Sequence, residues 1–257
     1  MSPTDAIANE LSAADSDSPA MVAVALSKRY GARLALDRFD LTLEHGEIVG
    51  LLGPNGAGKT TTLSILSGVI RPDAGSVSVA GHDLDTDGLA ARRNLGLAPQ
   101  SLALYPSLTA RENLSFFGRM QGLSRVAAHT AADALLEQAG LADRASERVA
   151  TFSGGMQRRL NMVCAMPHRP ALVLLDEPTA GVDPQSRELI FSMVEAAAAQ
   201  GAACLYSTHY MEEAERLCQR VILLDHGRVV AAGTAPQLIA RAGAAARIDL
   251  VTRTPLA

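Results

Sequence analysis

The sequence predicts an α/β protein: a mixed sheet with flanking helices, an antiparallel β part near the start and an α-helical insertion in the middle. Three observations predict it. Short apolar runs read as strands buried on both faces: "EIVGLL" (47–52), "ALVLLDE" (171–177), "ACLYSTH" (203–209) and "RVILLDHG" (220–227). Helical patterns lie between the last three of these. From about residue 101 to 150 strand signals vanish, and "TARENLSFFGRMQGL" and "SRVAAHTAADALLEQAGL" carry apolar residues at three- and four-residue spacing.

Taken in order, residues 1–20 are polar, small and acidic and are expected to form a disordered tail. "MVAVAL" (21–26) and "FDLTLE" (39–44) alternate as half-buried antiparallel strands do. The buried strand 47–52 follows, then "GSVSVAG" (75–81), a strand closed by glycine. The helical insertion spans about 101–152 and runs on into the helix after Ser153, where the α/β pattern resumes. "DHGR" reads as the turn of a hairpin into "VVAAG". One domain is expected over 21–240, with 241–257 as a short tail holding Arg241, Arg247 and Arg253 against Asp249.

The 257 residues are 48% hydrophobic but only 4% aromatic, so aliphatic side chains fill the core. A net charge of −4 argues against nucleic acid as a partner. Cys164, Cys204 and Cys218 form no CxxC pair and read as free thiols in a reducing compartment. No apolar run reaches the roughly 18 residues of a membrane helix, and the start lacks a signal peptide's apolar centre. The chain is therefore expected not to cross a membrane by itself. His45, His82, His129, His168 and His226 lie among turns and polar stretches without metal-ligand spacing and read as surface residues. Lysine occurs only at Lys28 and Lys59, which makes its place inside a glycine-rich loop more noticeable.

That loop, "GPNGAGKTT", covers Gly53, Pro54, Asn55, Gly56, Ala57, Gly58, Lys59, Thr60 and Thr61. Gly53, Gly58, Lys59 and Thr60 match G-x-x-x-x-G-K-[ST], between a buried strand and a helical pattern. Glycines let such a loop turn tightly and aim backbone N–H groups inward, where the helix dipole adds positive potential. Lys59 then reaches nucleotide phosphates, and the Thr60 hydroxyl holds Mg²⁺. The core is accordingly expected to be that of a P-loop NTPase. A glycine-rich turn before a core helix would need neither lysine nor threonine there.

"LVLLDEPT" ends its apolar run in Asp176 and Glu177, at the carboxyl edge of a parallel sheet where ligands bind. Adjacent strand residues point to opposite sides. Asp176 is assigned to Mg²⁺, directly or through water, and Glu177 to the attacking water; the pair read alone would equally serve as a helix N-cap. His209 ends the next buried strand and is expected beside these carboxylates, hydrogen-bonding the γ-phosphate and holding Glu177, although alone it would read as a satisfied strand-end histidine.

"FSGGMQRRL" (152–160) supplies a second helix entrance for an anion. Ser153 is its N-cap, and Gly154 and Gly155 strip side chains from it. One nucleotide needs one cradle, and the helical insertion separates the two. A second copy facing head to tail resolves this, each Ser153–Gly155 end covering the γ-phosphate in its partner's cradle.

With these motifs the chain resembles the nucleotide-binding subunit of an ATP-binding cassette (ABC) transporter. The family's Walker A motif matches "GPNGAGKTT", its signature "SGGMQ", and its Walker B motif with glutamate "LVLLDEP". Its Q-loop falls on Gln100 in "LAPQ", its D-loop on "AGVD" ending at Asp183, and its switch histidine on His209. Its adenine-stacking aromatic would be Tyr30, which as a tyrosine after a strand is otherwise a core residue. The elements stand in the family's order over about residues 21–235. The resemblance implies an ATPase that needs ATP and Mg²⁺, with two subunits, identical or different, sandwiching two MgATP. Gln100 links γ-phosphate and metal to the helical insertion, which grips a separate integral-membrane permease. ATP binding closes the dimer and hydrolysis reopens it. Phe152 stands where the signature usually has leucine, and Pro167 is expected to kink or end the signature helix.

"SLALYPSLTARENLSFFGRMQGL" resembles the export-type bacterial subunits that pair with ABC-2 membrane proteins, the daunorubicin-resistance and nodulation-factor exporters among them. Importer subunits often carry a regulatory C-terminal domain, and from the end soon after "GTAPQLIARAG" none is expected here. The expected place is the cytoplasmic face of the inner membrane, bound peripherally. The alternative is a soluble ABC-type ATPase acting on ribosomes or DNA, which usually carries two cassettes or long insertions. A P-loop kinase would not need "SGGMQ".

Overall fold

The structure, a computed structural model, describes residues 18–243. The expected tails fall outside these residues except at their inner ends. Ala20 is buried, and its carbonyl accepts from Ala80 N at 2.9 Å.

The chain begins with β1 (Met21–Tyr30), β2 (Arg33–Leu43), β3 (Ile48–Leu52) and α1 (Lys59–Leu66). It continues through β4 (Ala74–Val79), β5 (His82–Asp83), α2 (Gly88–Arg93) and β6 (Leu95–Ala98). The insertion holds α3 (Ala110–Met120) and α4 (Arg125–Gln138), and the signature helix is α5 (Gly154–Val163). Then follow β7 (Leu172–Asp176), α6 (Pro184–Ala199), β8 (Ala203–Thr208), α7 (Met211–Leu217), β9 (Arg220–Asp225), β10 (Arg228–Gly233) and α8 (Ala235–Gly243).

Two sheets result. One is antiparallel in the order β2-β1-β4-β5. The other runs β10-β9-β3-β8-β7-β6 and is parallel except for the edge strand β10. Side chains alternate across the second sheet as the two-residue period of a strand requires. Leu172, Leu174 and Leu205 face α1 and the antiparallel sheet; Val173, Leu175, Cys204 and Tyr206 face α5, α6 and the insertion. Phe152 packs into that second core, so its ring replaces an aliphatic side chain without leaving the interior. The strand β7 thus sits between two cores, which fixes its carboxyl end.

Local chemistry sets several boundaries. A capping box starts α3, with Thr109 Oγ1 accepting from Glu112 N and the Glu112 carboxylate accepting from Thr109 N. His226 and Gly227, at φ +45° and +76°, make the expected two-residue turn between β9 and β10. Gly227 N donates to Ala57 O and Gly227 O accepts from Asp37 N, both at 2.8 Å, so this turn clamps the loop before α1. Pro167 does not kink α5, because the helix has already ended at Val163. β6 was not expected from the sequence. His168, expected on the surface, is half-buried with Nε2 at 3.1 Å from Leu95 O.

Candidate functional site

The loop between β3 and α1 rises from a fully buried strand. Gly58 caps α1 at φ +113°, and a Cβ there would lie 2.7 Å from Ala35 O; at Gly53 it would lie 2.2 Å from Leu224 O. Only glycine fits either place. The loop borders a cavity of about 560 Å³, within the range of small-molecule pockets, about 300–1,000 Å³. Asn55, Gly56, Gly58, Lys59, Thr60, Thr61, Gln100, Glu177 and Tyr30 line it, joined by Arg33 and Ala35. Gly53, Pro54 and Ala57 belong to the loop without lining the cavity. Tyr30 is 51% exposed and so is not a core residue. Arg33, missed in the sequence, donates to Gly56 O at 2.8 Å.

Three functional groups meet at Glu177. Its Oε1 lies 3.2 Å from Lys59 Nζ and 3.4 Å from His209 Nδ1, and its Oε2 accepts from Gln100 Nε2 at 3.1 Å. Lys59 Nζ also donates to Gly53 O at 2.7 Å and Pro54 O at 3.2 Å. Glu177 has φ +44°, a left-handed backbone that L side chains rarely adopt. Its N–H donates to Ser207 Oγ at 2.9 Å, while Ser207 Oγ donates to Asp176 Oδ1 at 2.7 Å. Ser207 thus pins both acids, and nothing in "ACLYSTH" distinguished it beforehand.

Ser153, Gly154, Gly155 and Asp183 do not line the cavity, nor do Asp176 and His209, which adjoin Glu177. Ser153 Oγ caps α5 by accepting from Met156 N at 3.3 Å. A Cβ on Gly154 would meet nothing within 4 Å; one on Gly155 would strike Ser186 Oγ at 2.5 Å and approach Asp183 Oδ2 to 3.0 Å. Gly155 is therefore glycine to admit the start of α6, while Gly154 faces open space. Asp183 caps α6, and the Ser186 N–H donated to it holds its carboxyl below the usual value. Arg158, also missed, donates to Gln100 O and to Ala180 O, linking α5 to both the Gln100 loop and the Asp183 loop. Burial pulls its guanidinium pKa down, and the Asp176 and Glu177 carboxylates oppose that.

The residues fit a nucleotide with its metal. The N–H groups at the start of α1, the buried ammonium of Lys59 and two space-limited glycines could cradle phosphate. Among the described residues no group of three or more His, Cys, Asp or Glu is gathered for a metal ion. Mg²⁺ needs none, since it is held by one or two protein oxygens, phosphates and waters; Thr60 and Gln100 line the cavity, whereas Asp176 is buried at the end of β7 and does not.

The family described as "ABC transporter" matches residues 36–180. The linearmycin resistance ATP-binding protein LnrL of Bacillus subtilis is 44% identical over 225 residues, 88% of this chain and 72% of that one. The Nod factor export ATP-binding protein I of Burkholderia lata is 45% identical over 214 residues, 83% of this chain and 70% of that one. A solved ATP-binding subunit of an ABC transporter shares 34% identity with a TM-score of 0.79, covering 87% of this chain and 93% of that one.

Proposed function

The chain belongs to the ABC transporter family, and from that premise we propose that two such subunits close around two MgATP and drive export through an ABC-2 type membrane protein. Family membership makes it an ATP-binding subunit that hydrolyses ATP and works with a membrane permease. Its relatives' names, resistance to linearmycin and Nod factor export, support export as the direction. Among the described residues no helix is long and apolar enough to cross a membrane, which accords with a subunit held at the cytoplasmic face by its permease.

The observation that carries the reading is the separation of two half-sites in one chain. Lys59, Gln100 and Glu177 meet at the cavity, with His209 3.4 Å from Glu177, while Ser153–Gly155 and Asp183 do not line it. A partner subunit's Ser153–Gly155 end would complete the cavity, and Asp183 would line the contact. Tyr30 would stack on adenine, worth roughly 1–3 kcal/mol. Lys59 and the loop N–H groups would hold the phosphates, and Glu177 would take the proton of the attacking water, contributing about 10²–10⁴ in rate. His209 would hold Glu177 and hydrogen-bond the γ-phosphate. Bound Mg²⁺ supplies charge neutralisation on the phosphates, with Thr60, Asp176 and Gln100 as the residues that would hold it.

For the permease, α3 offers an exposed apolar face. Phe116 and Met120, one turn apart on α3, are 37% and 70% exposed, and Tyr105, ahead of the helix, packs edge-on against Phe116 at 4.9 Å. An amphipathic helix of a membrane protein suits such a face. Purification from membranes tests the reading: recovery with a protein of about six apolar spans supports it, and recovery only with ribosomes or nucleic acid contradicts it.

A further inference from the structure

We infer that Glu213 is a positioning residue for ATP hydrolysis, its buried carboxylate tying the ends of β7 and β8 together and so fixing Glu177 against His209. The inference rests on the roles proposed above for those two residues.

Glu213 lies in the first turn of α7 and is 3% exposed. Its Oε1 accepts from Thr179 Oγ1 at 2.8 Å, and its Oε2 accepts from Thr208 Oγ1 at 2.6 Å and Tyr206 OH at 3.1 Å. Arg187 of α6 places Nε 3.6 Å from Oε1. Each hydroxyl belongs to a segment that carries the chemistry. Thr208 directly precedes His209, and its Oγ1 also accepts from Tyr210 N at 3.0 Å, so it brackets the histidine from both sides. Thr179 sits in the turn that Ala180 N closes onto Glu177 O at 3.1 Å. Tyr206 lies under both, its phenol within 3.1 Å of Thr179 Oγ1.

A buried carboxylate is costly unless donors surround it. Apolar residues of similar volume would hold the two strand ends at least as stably. What the charge adds is direction: three short hydroxyl contacts fix three backbone positions at once. Glu213 itself is not among the residues lining the cavity, so it acts through Glu177 and His209. Misplacement of a reacting group by about 1 Å costs on the order of 10² in rate, which makes turnover sensitive to this knot while binding is not.

Steady-state ATPase kinetics on the full chain test it. In Glu213→Gln and in the isosteric Thr208→Val, kcat falls about tenfold or more while KM and the affinity for a fluorescent ATP analogue stay within about twofold. Thr208→Ser, which restores the hydroxyl, returns kcat to within about twofold of the parent. The double variant is no slower than the slower single one, because both break one unit. A parental kcat in either folded variant overturns the inference, as does a fall in kcat that Thr208→Ser does not rescue. Should Glu213→Gln not fold, the two Thr208 variants decide. Glu177→Gln separates the two failures: full activity there removes the reading of the site, whereas an inactive Glu177→Gln beside a fully active Thr208→Val removes only the role of Glu213.

Discussion

Lys59 Nζ and Glu177 Oε1 stand 3.2 Å apart, with side-chain exposures of 5% and 10%. The cation of the phosphate loop and the acid at the end of β7 therefore neutralise one another in a nearly dry place. Such a pair is a poor source of stability but a precise way to hold two reacting groups. Both have further partners, the lysine two loop carbonyls and the acid Gln100 and His209, so each can be released without being left bare.

Lys59→Ala removes the ammonium that stands 3.2 Å from Glu177 Oε1. ATP hydrolysis should become undetectable and nucleotide affinity should fall by on the order of tenfold or more. Turnover assays and titration with a fluorescent ATP analogue measure both. Normal turnover would refute the assignment of the cradle.

Ser153→Arg puts a long cation at the entrance of α5, outside the cavity of its own chain. Binding of ATP by the isolated subunit should be unchanged and turnover should stop. The same substitution also removes an N-cap, worth about 1 kcal/mol, so a small drop in melting temperature is expected with it. Intact hydrolysis would show that the signature end does not reach a partner's phosphate.

The three thiols should be unreactive in the native protein. Burial pushes Cys204 and Cys218 up to about 12 and Cys164 higher still. Thiolate, not thiol, is the nucleophile. At pH 8 a maleimide or disulfide reagent should label the folded chain slowly and the chain in denaturant at once; fast labelling of the native state would contradict the packing around β8.

Stability should fall in two stages as pH drops. Burial lowers the His168 pKa below 6.5, and its buried Nδ1 has no hydrogen-bond partner among the described residues. The native state thus favours the neutral ring; its full contribution is present above 6.5 and is lost as pH falls from there through the lower folded value. The carboxyls of Asp183 and Glu112 are held below their usual 3.8 and 4.5 by donated backbone N–H groups, from Ser186 and Thr109. Their contribution is complete above those values and disappears at still lower pH. Melting temperature measured against pH should show both stages, and His168→Gln should remove the upper one.

Much of this was legible in the sequence because chemistry and periodicity coincided. The run "EIVGLL" followed by "GPNGAGK" specifies strand, turn and helix as well as a ligand class. "LVLLDE" likewise places two acids at a sheet edge. The strand β6 escaped because "LGLA" is four residues with no β-branched member. Its glycine is there for space, since a Cβ on Gly96 would lie 2.1 Å from Ala165 O. Glu213 and Arg158 escaped for another reason. In "YMEEAERL" and "MQRRL" they look like ordinary charges on helix surfaces. Only tertiary packing turns one toward three hydroxyls and the other toward two loop carbonyls. Such groups become visible when distant segments meet.

The composite site is most directly tested by static light scattering on Glu177→Gln under saturating MgATP. With Lys59 and the signature end intact and the base removed, nucleotide should bind, turnover should stop and the mass should double. A protein that binds nucleotide yet keeps the mass of one chain would contradict the account.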